Sequence, residues 1–141
     1  MLKTYRGSCH CGQVGFTCDI DFSEGIRKCN CSFCRKTRMQ KVFVYKQRFH
    51  LLTRADALCD YQSEPSTWPA GDVHHYFCKR CGVRAFSKGY LDFEPFNGEF
   101  HVVNAACLDD AAAEEIAAAP VIFEDGLNDR QDRVPDMTAQ L

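Results

Sequence analysis

The chain lacks the features that mark membrane, secreted and nucleic-acid-binding proteins. Its 141 residues contain no long apolar run, so no transmembrane helix and no membrane partner are expected. The amino-terminal segment has no apolar core of the kind that defines a signal peptide, which predicts a cytoplasmic protein. A net charge of only -2 offers no basic surface for nucleic acid. The length and a hydrophobic content of 45% predict one folded domain with a real core.

Cysteine, in contrast, is abundant. Ten cysteines in a chain expected to occupy a reducing compartment favour metal binding over disulfide bonds. Most of them fall into three closely spaced groups, which are Cys9 with Cys11, then Cys29 with Cys31 and Cys34, and finally Cys78 with Cys81. Cys18 shares the alternation of Val14 and Phe16 and is predicted to be a core thiol, as is Cys59.

The first and last groups are predicted to share one metal ion. Glycine follows each pair, at Gly12 and Gly82, and permits the tight turn that lets two thiolates face one ion. Neither pair completes a tetrahedral zinc site, but Cys9, Cys11, Cys78 and Cys81 together do. A closed site of four thiolates is typical of structural zinc, and this one would join the two halves of the chain.

The middle group is predicted to be the reactive centre. Cys29, Cys31 and Cys34 supply three thiolates, which leaves the fourth position of a tetrahedral zinc ion free for water or substrate. Neighbouring basic side chains lower thiol pKa values and can hold an anionic ligand; they are Lys28, Arg35, Lys36 and Arg38. The alternatives are a solvated basic face, a redox cluster, or a structural zinc closed by a further ligand. The histidines considered for that ligand are His10, His74 and His75.

The remaining pattern is rich in β-structure with one helix. Strands are predicted at 14–18, 41–45, 49–52 and 58–61, at 74–77 and 84–87 around the second knuckle, and at 100–103 after an Asn97-Gly98 hairpin turn. Proline and glycine predict a loop at 63–71. An aspartate cap and a proline stop predict the helix at 109–120. The polar tail at 124–141 is predicted to be loosely held.

Three motifs in this order resemble those of the glutathione-dependent formaldehyde-activating enzyme family, also called the CENP-V/GFA domain. They are Gly7-Ser8-Cys9-His10-Cys11-Gly12-Gln13-Val14, Cys29-Asn30-Cys31-Ser32-Phe33-Cys34-Arg35-Lys36 and Phe77-Cys78-Lys79-Arg80-Cys81-Gly82. The resemblance implies a mainly β fold, the β-tent zinc fold of coiled antiparallel sheets, here with one short C-terminal helix. It implies a zinc domain at 1–125, with the tail at 126–141 belonging to the same domain.

The resemblance also implies a function. Two zinc ions would bind per chain, a structural one at the four-cysteine site and a catalytic one at Cys29, Cys31 and Cys34. The activity would be that of a carbon-sulfur lyase that joins glutathione to formaldehyde or a related small aldehyde. Lys28, Arg35 and Lys36 would contact the glutathione carboxylates. Residues 37–40 and 120–126 depart from the family pattern, and both stretches are expected near the substrate pocket.

Two other classes compete with this interpretation. One is a non-catalytic, zinc-stabilised binding module for a protein or a thiol ligand, since one fold supports unrelated functions. The other is a methionine sulfoxide reductase, which requires a nucleophilic cysteine free of metal. Cys107 or Cys59 would have to serve as that nucleophile.

Overall fold

A computed structural model of the protein describes residues 1–62, 69 and 71–141, so most of the loop predicted at 63–71 lies outside it. The strands are β1 (Lys3–Ser8), β2 (Gly15–Ile20), β3 (Ile26–Cys29), β4 (Lys41–Tyr45), β5 (Phe49–Leu51), β6 (Leu58–Tyr61), β7 (Val73–Cys78), β8 (Phe86–Leu91), β9 (Gly98–Asn104) and β10 (Val121–Glu124). The helices are α1 (Ser32–Thr37) and α2 (Ala113–Ala118). The predicted mainly β class is confirmed.

The strands form two sheets. One has the order β1-β2-β5 and the other β10-β3-β4-β9-β8-β7-β6. Neighbouring strands run antiparallel, apart from β10, which lies parallel to β3. The strand predictions at 41–45 and 58–61 match β4 and β6. The strand predicted at 84–87 begins only at Phe86, because Val83 accepts a hydrogen bond from Cys78 and closes the metal knuckle first.

Aromatic side chains form the core between the sheets. Phe16 of β2 is fully buried and stacks on Phe49 of β5 at 5.4 Å between ring centroids. Both rings contact Phe86 of the larger sheet. Cys18 is buried in this core, as the alternation predicts, because it points to the same side of β2 as Phe16. Cys59 is only half-buried on β6, so the prediction of a second core thiol is wrong.

The predicted hairpin exists but has a longer turn. Strands β8 and β9 pair antiparallel from Leu91 opposite Gly98. Residues 92–97 connect them, so Asn97-Gly98 is the end of a long turn and not a two-residue turn. Asn97 supplies the left-handed backbone conformation there, with φ 47°.

The prediction of a single helix is wrong in two respects. Helix α2 begins only at Ala113, because Asp109 and Asp110, the candidates for the predicted aspartate cap, contact β1 instead. Ser8 Oγ donates to Asp109 at 2.9 Å, and the main-chain N–H of Arg6 donates to Asp110 at 2.9 Å. Helix α1 was not predicted, since six residues that include a metal ligand carry no apolar periodicity. Within the described residues, neither helix has the length and apolarity needed to cross a bilayer.

The carboxyl-terminal tail is not loosely held. Strand β10 pairs with β3 over four residues, and the carboxylates of Glu124 and Asp125 are buried. The main-chain N–H of Asp125 donates to the carbonyls of Arg130 and Arg133, which folds the tail back on itself. The prediction failed because the partners of these carboxylates are not visible in the local sequence. Glu124 pairs with Arg27 and Lys41, and Asp125 pairs with Arg133.

His101 makes the stability of this fold depend on pH. His101 lies in β9, and its ring stacks on that of Phe49 with 4.1 Å between the ring centroids. Its Nδ1 is buried without a hydrogen-bond partner among the described residues. Burial lowers the pKa of His101 from 6.5 to about 4, with smaller effects from Glu99, Lys88 and Lys46. Because the folded-state pKa lies below the unfolded one, stability is full above pH 6.5 and falls as the pH drops towards 4.

His101→Phe keeps the stacked ring and removes the titration. We therefore expect the urea midpoint of the wild type to fall more steeply between pH 7 and pH 5 than that of the variant. Urea unfolding followed by circular dichroism at several pH values measures both slopes. Parallel slopes would show that His101 is not a source of the acid sensitivity.

Candidate metal centres

The four-cysteine cluster joins the start of the chain to the ribbon formed by β7 and β8. The sulfur atoms of Cys9, Cys11, Cys78 and Cys81 all lie within 4.8 Å of one another. The Cys9–Cys11 and Cys11–Cys78 sulfur pairs are both 3.6 Å apart. In a tetrahedral zinc site with bonds of about 2.3 Å, neighbouring sulfurs lie about 3.8 Å apart. The cluster therefore fits one tetrahedral metal ion.

Main-chain groups prepare this cluster for a metal ion. The two knuckles turn at Gly12 and Gly82, whose φ angles of 79° and 73° favour glycine. Main-chain N–H groups of Cys11 and Val83 hold the pKa of Cys81 down at about 6. A ligand that is a thiolate at neutral pH binds metal without first losing a proton.

The three-cysteine cluster lies where β3 passes into α1. Cys29 ends the strand, Cys31 is the N-cap of the helix, and Cys34 lies in its first turn. The main-chain N–H of Cys34 donates to the sulfur of Cys31 at 3.4 Å, as in a normal side-chain cap. The three sulfurs lie within 4.8 Å of one another. Local chain geometry therefore aims all three at one point.

The thiols of this cluster differ widely in pKa. Hydrogen bonds from Cys29 and Cys34 lower the pKa of Cys31 to about 2, whereas hydrogen bonds with Cys29 and Cys31 raise the pKa of Cys34 far above its usual value. One negative charge forms easily and further charges are resisted. A soft dication bound between the three sulfurs would supply the positive charge that lets the other two thiols lose their protons.

A pocket of about 200 Å³ opens beside this cluster. Cys29 and Cys34 lie in its wall together with the predicted Lys28 and Arg35. The other lining residues are Arg38, Met39, Gln40 and Leu141. Residues 38–40 thus lie at the pocket, as expected for this departure from the family pattern. Lys36 is exposed on α1 and does not line the pocket.

Arg84, which the sequence analysis missed, braces helix α1 from the ribbon. Its guanidinium carbon lies 4.5 Å from the centroid of the Phe33 ring. It donates to Thr37 Oγ1 at 3.1 Å, to His75 Nδ1 at 3.0 Å and to Ser87 Oγ at 2.8 Å. The only sequence signal is its position just after the second knuckle. Arg84 therefore connects helix α1, which carries Cys34, to the ribbon of β7 and β8, which carries Cys78.

Arg84 and Lys41 also place positive charge near the three thiols. Burial lowers the pKa of Arg84 to about 10, while the thiolates of Cys34 and Cys31 favour its charged form. Burial also disfavours the charge on Lys41, but Glu124 raises its pKa overall. Both side chains are therefore cations at neutral pH. They counter the negative charge of the cluster.

The tail packs directly against the three-cysteine cluster. A Cβ atom placed on Gly126 would lie 2.5 Å from the sulfur of Cys29 and 3.1 Å from Cβ of Cys31. Asn30, between these two ligands, donates to Asp125 Oδ1 at 2.8 Å and accepts from the N–H of Leu127 at 2.9 Å. The start of the tail therefore fixes the positions of Cys29 and Cys31. From the stretch 120–126, Gly126 and Asp125 thus contact the segment that carries Cys29 and Cys31, but none of its residues lines the pocket.

Gly126→Ala is expected to weaken metal binding at the three-cysteine cluster by about 10- to 100-fold, as outer-shell changes commonly do. The added methyl group pushes the Cys29 sulfur out of place, while the other cluster is untouched. Competition with a chromophoric zinc chelator measures both affinities. Gly15→Ala is the control, because a Cβ atom there meets only the carbonyl oxygen of Gly7 at an ordinary 3.8 Å, and neither Gly15 nor Gly126 has a positive φ. Equal affinities for the two variants would contradict this role of Gly126.

The alternative ligands and nucleophiles lie elsewhere. His10 is exposed, His74 pairs with Asp60 at 2.7 Å, and His75 accepts from Arg84. Among the described residues, none of these histidines belongs to a group of side chains that could bind a metal ion. Cys107 lies beside the four-cysteine cluster, and burial raises its pKa to about 11. A thiol with that pKa is a poor nucleophile.

The molecule is thus a mainly β domain with a four-cysteine cluster and a three-cysteine cluster beside a basic pocket. The sequence model described as glutathione-dependent formaldehyde-activating enzyme matches residues 4–125. The chain belongs to this family.

The fold also occurs in a solved structure. The crystal structure of a Rhodobacter sphaeroides protein is similar to this chain with a TM-score of 0.62 and 24% sequence identity. The match covers 82% of this chain and 98% of that one. Likeness at this level of identity shows a shared fold.

Proposed function

We propose that this protein is a zinc-dependent carbon-sulfur lyase that joins the thiol of glutathione to formaldehyde or a related small aldehyde. The observation that carries the proposal is the placement of two thiols of the three-cysteine cluster in the wall of a pocket with three basic residues. Family membership supports it. The four-cysteine cluster would hold a structural zinc ion and the three-cysteine cluster a catalytic one.

The chain's own residues would bind and orient the thiol. Zinc, when held by Cys29, Cys31 and Cys34, supplies a positive centre that makes a fourth, incoming thiol a thiolate at neutral pH. Lys28 and Arg35, with Arg38 in place of the predicted Lys36, would bind the two glutathione carboxylates. Three thiolates on a dication leave a net charge of -1, which would repel the incoming sulfur. Arg84 and Lys41 offset that charge.

The reaction then needs no oxidant or reductant. The glutathione sulfur donates an electron pair to the aldehyde carbon and forms the C–S bond. The π pair of the C=O bond moves to oxygen, which takes up a proton, while the thiol proton is released to solvent. The product is S-hydroxymethylglutathione. We also propose that residues 126–141 belong to the same domain as 1–125, since Gly126 packs on Cys29 and Leu141 accepts a hydrogen bond from Lys28.

Exchange NMR with ¹³C-formaldehyde tests the activity. The zinc-loaded protein is expected to speed the exchange between free formaldehyde and S-hydroxymethylglutathione above the spontaneous rate. The matched control is S-methylglutathione, which has the carboxylates but no free thiol and should show no exchange. Tight glutathione binding with no rate change would favour the binding module over the enzyme. Neither binding nor a rate change would overturn the proposed use of glutathione.

A further inference from the structure

The end of the described chain returns to the thiol pocket. Leu141 lines the pocket, and its main-chain oxygen accepts from Lys28 Nζ at 2.8 Å. The main-chain oxygen of Gln140 accepts from Arg38 Nη1 at 2.6 Å. The N–H of Leu141 donates to the carbonyl of Thr138 at 3.1 Å and closes a turn. We name residues 138–141 the strap.

The strap occupies the donors that an anionic thiol would use. Lys28 and Arg38 each donate to a main-chain oxygen of the strap, where the proposed function places a carboxylate. The Gln140 carbonyl is neutral and accepts one bond from Arg38, whereas a carboxylate adds a full negative charge and can accept two parallel N–H bonds from the guanidinium. A ligand with suitably spaced carboxylates can therefore compete for both cations, whereas a small neutral thiol has nothing to exchange for these contacts.

The size of the pocket agrees with this exchange. With the strap in place the pocket measures about 200 Å³. Sites for ligands of moderate size usually measure about 300–1,000 Å³. A tripeptide thiol therefore needs the space that Leu141 fills. A thiol of a few atoms does not.

We infer that the strap determines thiol specificity. Anionic thiols of tripeptide size must displace it from Lys28 and Arg38, which weakens their binding, whereas small neutral thiols bind beneath it at no such cost. This inference rests on the proposed function, which makes the ligand a thiol. The strap lies beyond residue 125, where the family match ends. The apparent affinity for a tripeptide thiol is the intrinsic affinity multiplied by the fraction of molecules in which the strap is open.

Calorimetric titration of the zinc-loaded full chain with glutathione and with 2-mercaptoethanol tests the inference. Leu141→Ala removes the apolar anchor of the strap and leaves Lys28 and Arg38 in place. We expect this variant to bind glutathione roughly fivefold more tightly, and 2-mercaptoethanol with unchanged affinity. Met137→Ala is the matched control, because Met137 is exposed just before the strap and should match the wild type for both thiols.

NMR of the wild type gives a readout that needs no variant. The amide signals of Gln140 and Leu141 should move to positions typical of an unfolded chain when glutathione binds, and stay in place with 2-mercaptoethanol. Unchanged or weaker glutathione binding by Leu141→Ala, an equal gain for both thiols, or unmoved amide signals would overturn the role of the strap alone. Failure of the wild type and the variant to bind either thiol would overturn the proposed function as well.

Discussion

Cys31→Ser is expected to remove one of two bound zinc ions and to slow the glutathione–formaldehyde reaction at least about a hundredfold. Serine oxygen is a poor zinc ligand at neutral pH, so two thiolates would remain where three are needed. The fold should survive, because serine is itself a favoured N-cap and can accept the hydrogen bond from the Cys34 N–H. Metal content per chain and the exchange rate measure the two effects.

Cys59→Ser is the matched control for this variant. Cys59 is a half-buried thiol on β6 outside both clusters, so its replacement should leave two zinc ions and the wild-type rate. A Cys31→Ser protein that still holds two zinc ions would contradict the assignment of Cys31 as a ligand. One that loses the metal but keeps its rate would contradict the catalytic role of the cluster.

Cys78→Ser is expected to abolish the cooperative fold. Cys78 is buried where β7 meets the amino-terminal knuckle, and its sulfur contacts that of Cys11. Structural zinc binding contributes about 10–16 kcal/mol in small domains. That is comparable to the usual net stability of about 5–15 kcal/mol, so the domain is expected to unfold when it loses the ion. Thermal unfolding followed by circular dichroism should show no transition for the variant.

Cys107→Ser separates this effect from the loss of any thiol nearby. Cys9 and Cys81 lie close enough to Cys107 to raise its pKa, but Cys107 is outside the four-sulfur group. Its replacement should leave two zinc ions and a clear unfolding transition. A Cys78→Ser protein that melts at the wild-type temperature would show that the cluster does not stabilise the fold.

The cysteine clusters were predictable because ligand spacing is local information. Cys29, Cys31 and Cys34 are close in the sequence, so they had to be close in space. The pairing of Cys9 and Cys11 with Cys78 and Cys81 followed from the coordination number of zinc, since each pair needs two more ligands. The structure brings both sets together as expected.

The surroundings of the clusters were not predictable in the same way. Arg84 precedes β8 and Lys41 begins β4. Apart from the position of Arg84 just after the second knuckle, nothing in the sequence marks either residue. Gly126 lies in a polar tail, and only the contact with Cys29 shows why glycine is needed there. Lys36 was proposed because it neighbours Cys34 in the sequence, but the helix turns it to the solvent. Tertiary packing decides each of these cases.

The most direct test of the central claim is ¹¹³Cd NMR of the cadmium-substituted protein during addition of glutathione. Two signals of equal area are predicted, one from a four-thiolate site and one from a three-thiolate site. Glutathione should move the second signal towards the first and leave the first unchanged, and S-methylglutathione should move neither. A single signal, or a second signal that glutathione does not shift, would contradict an open metal site that receives the substrate thiol.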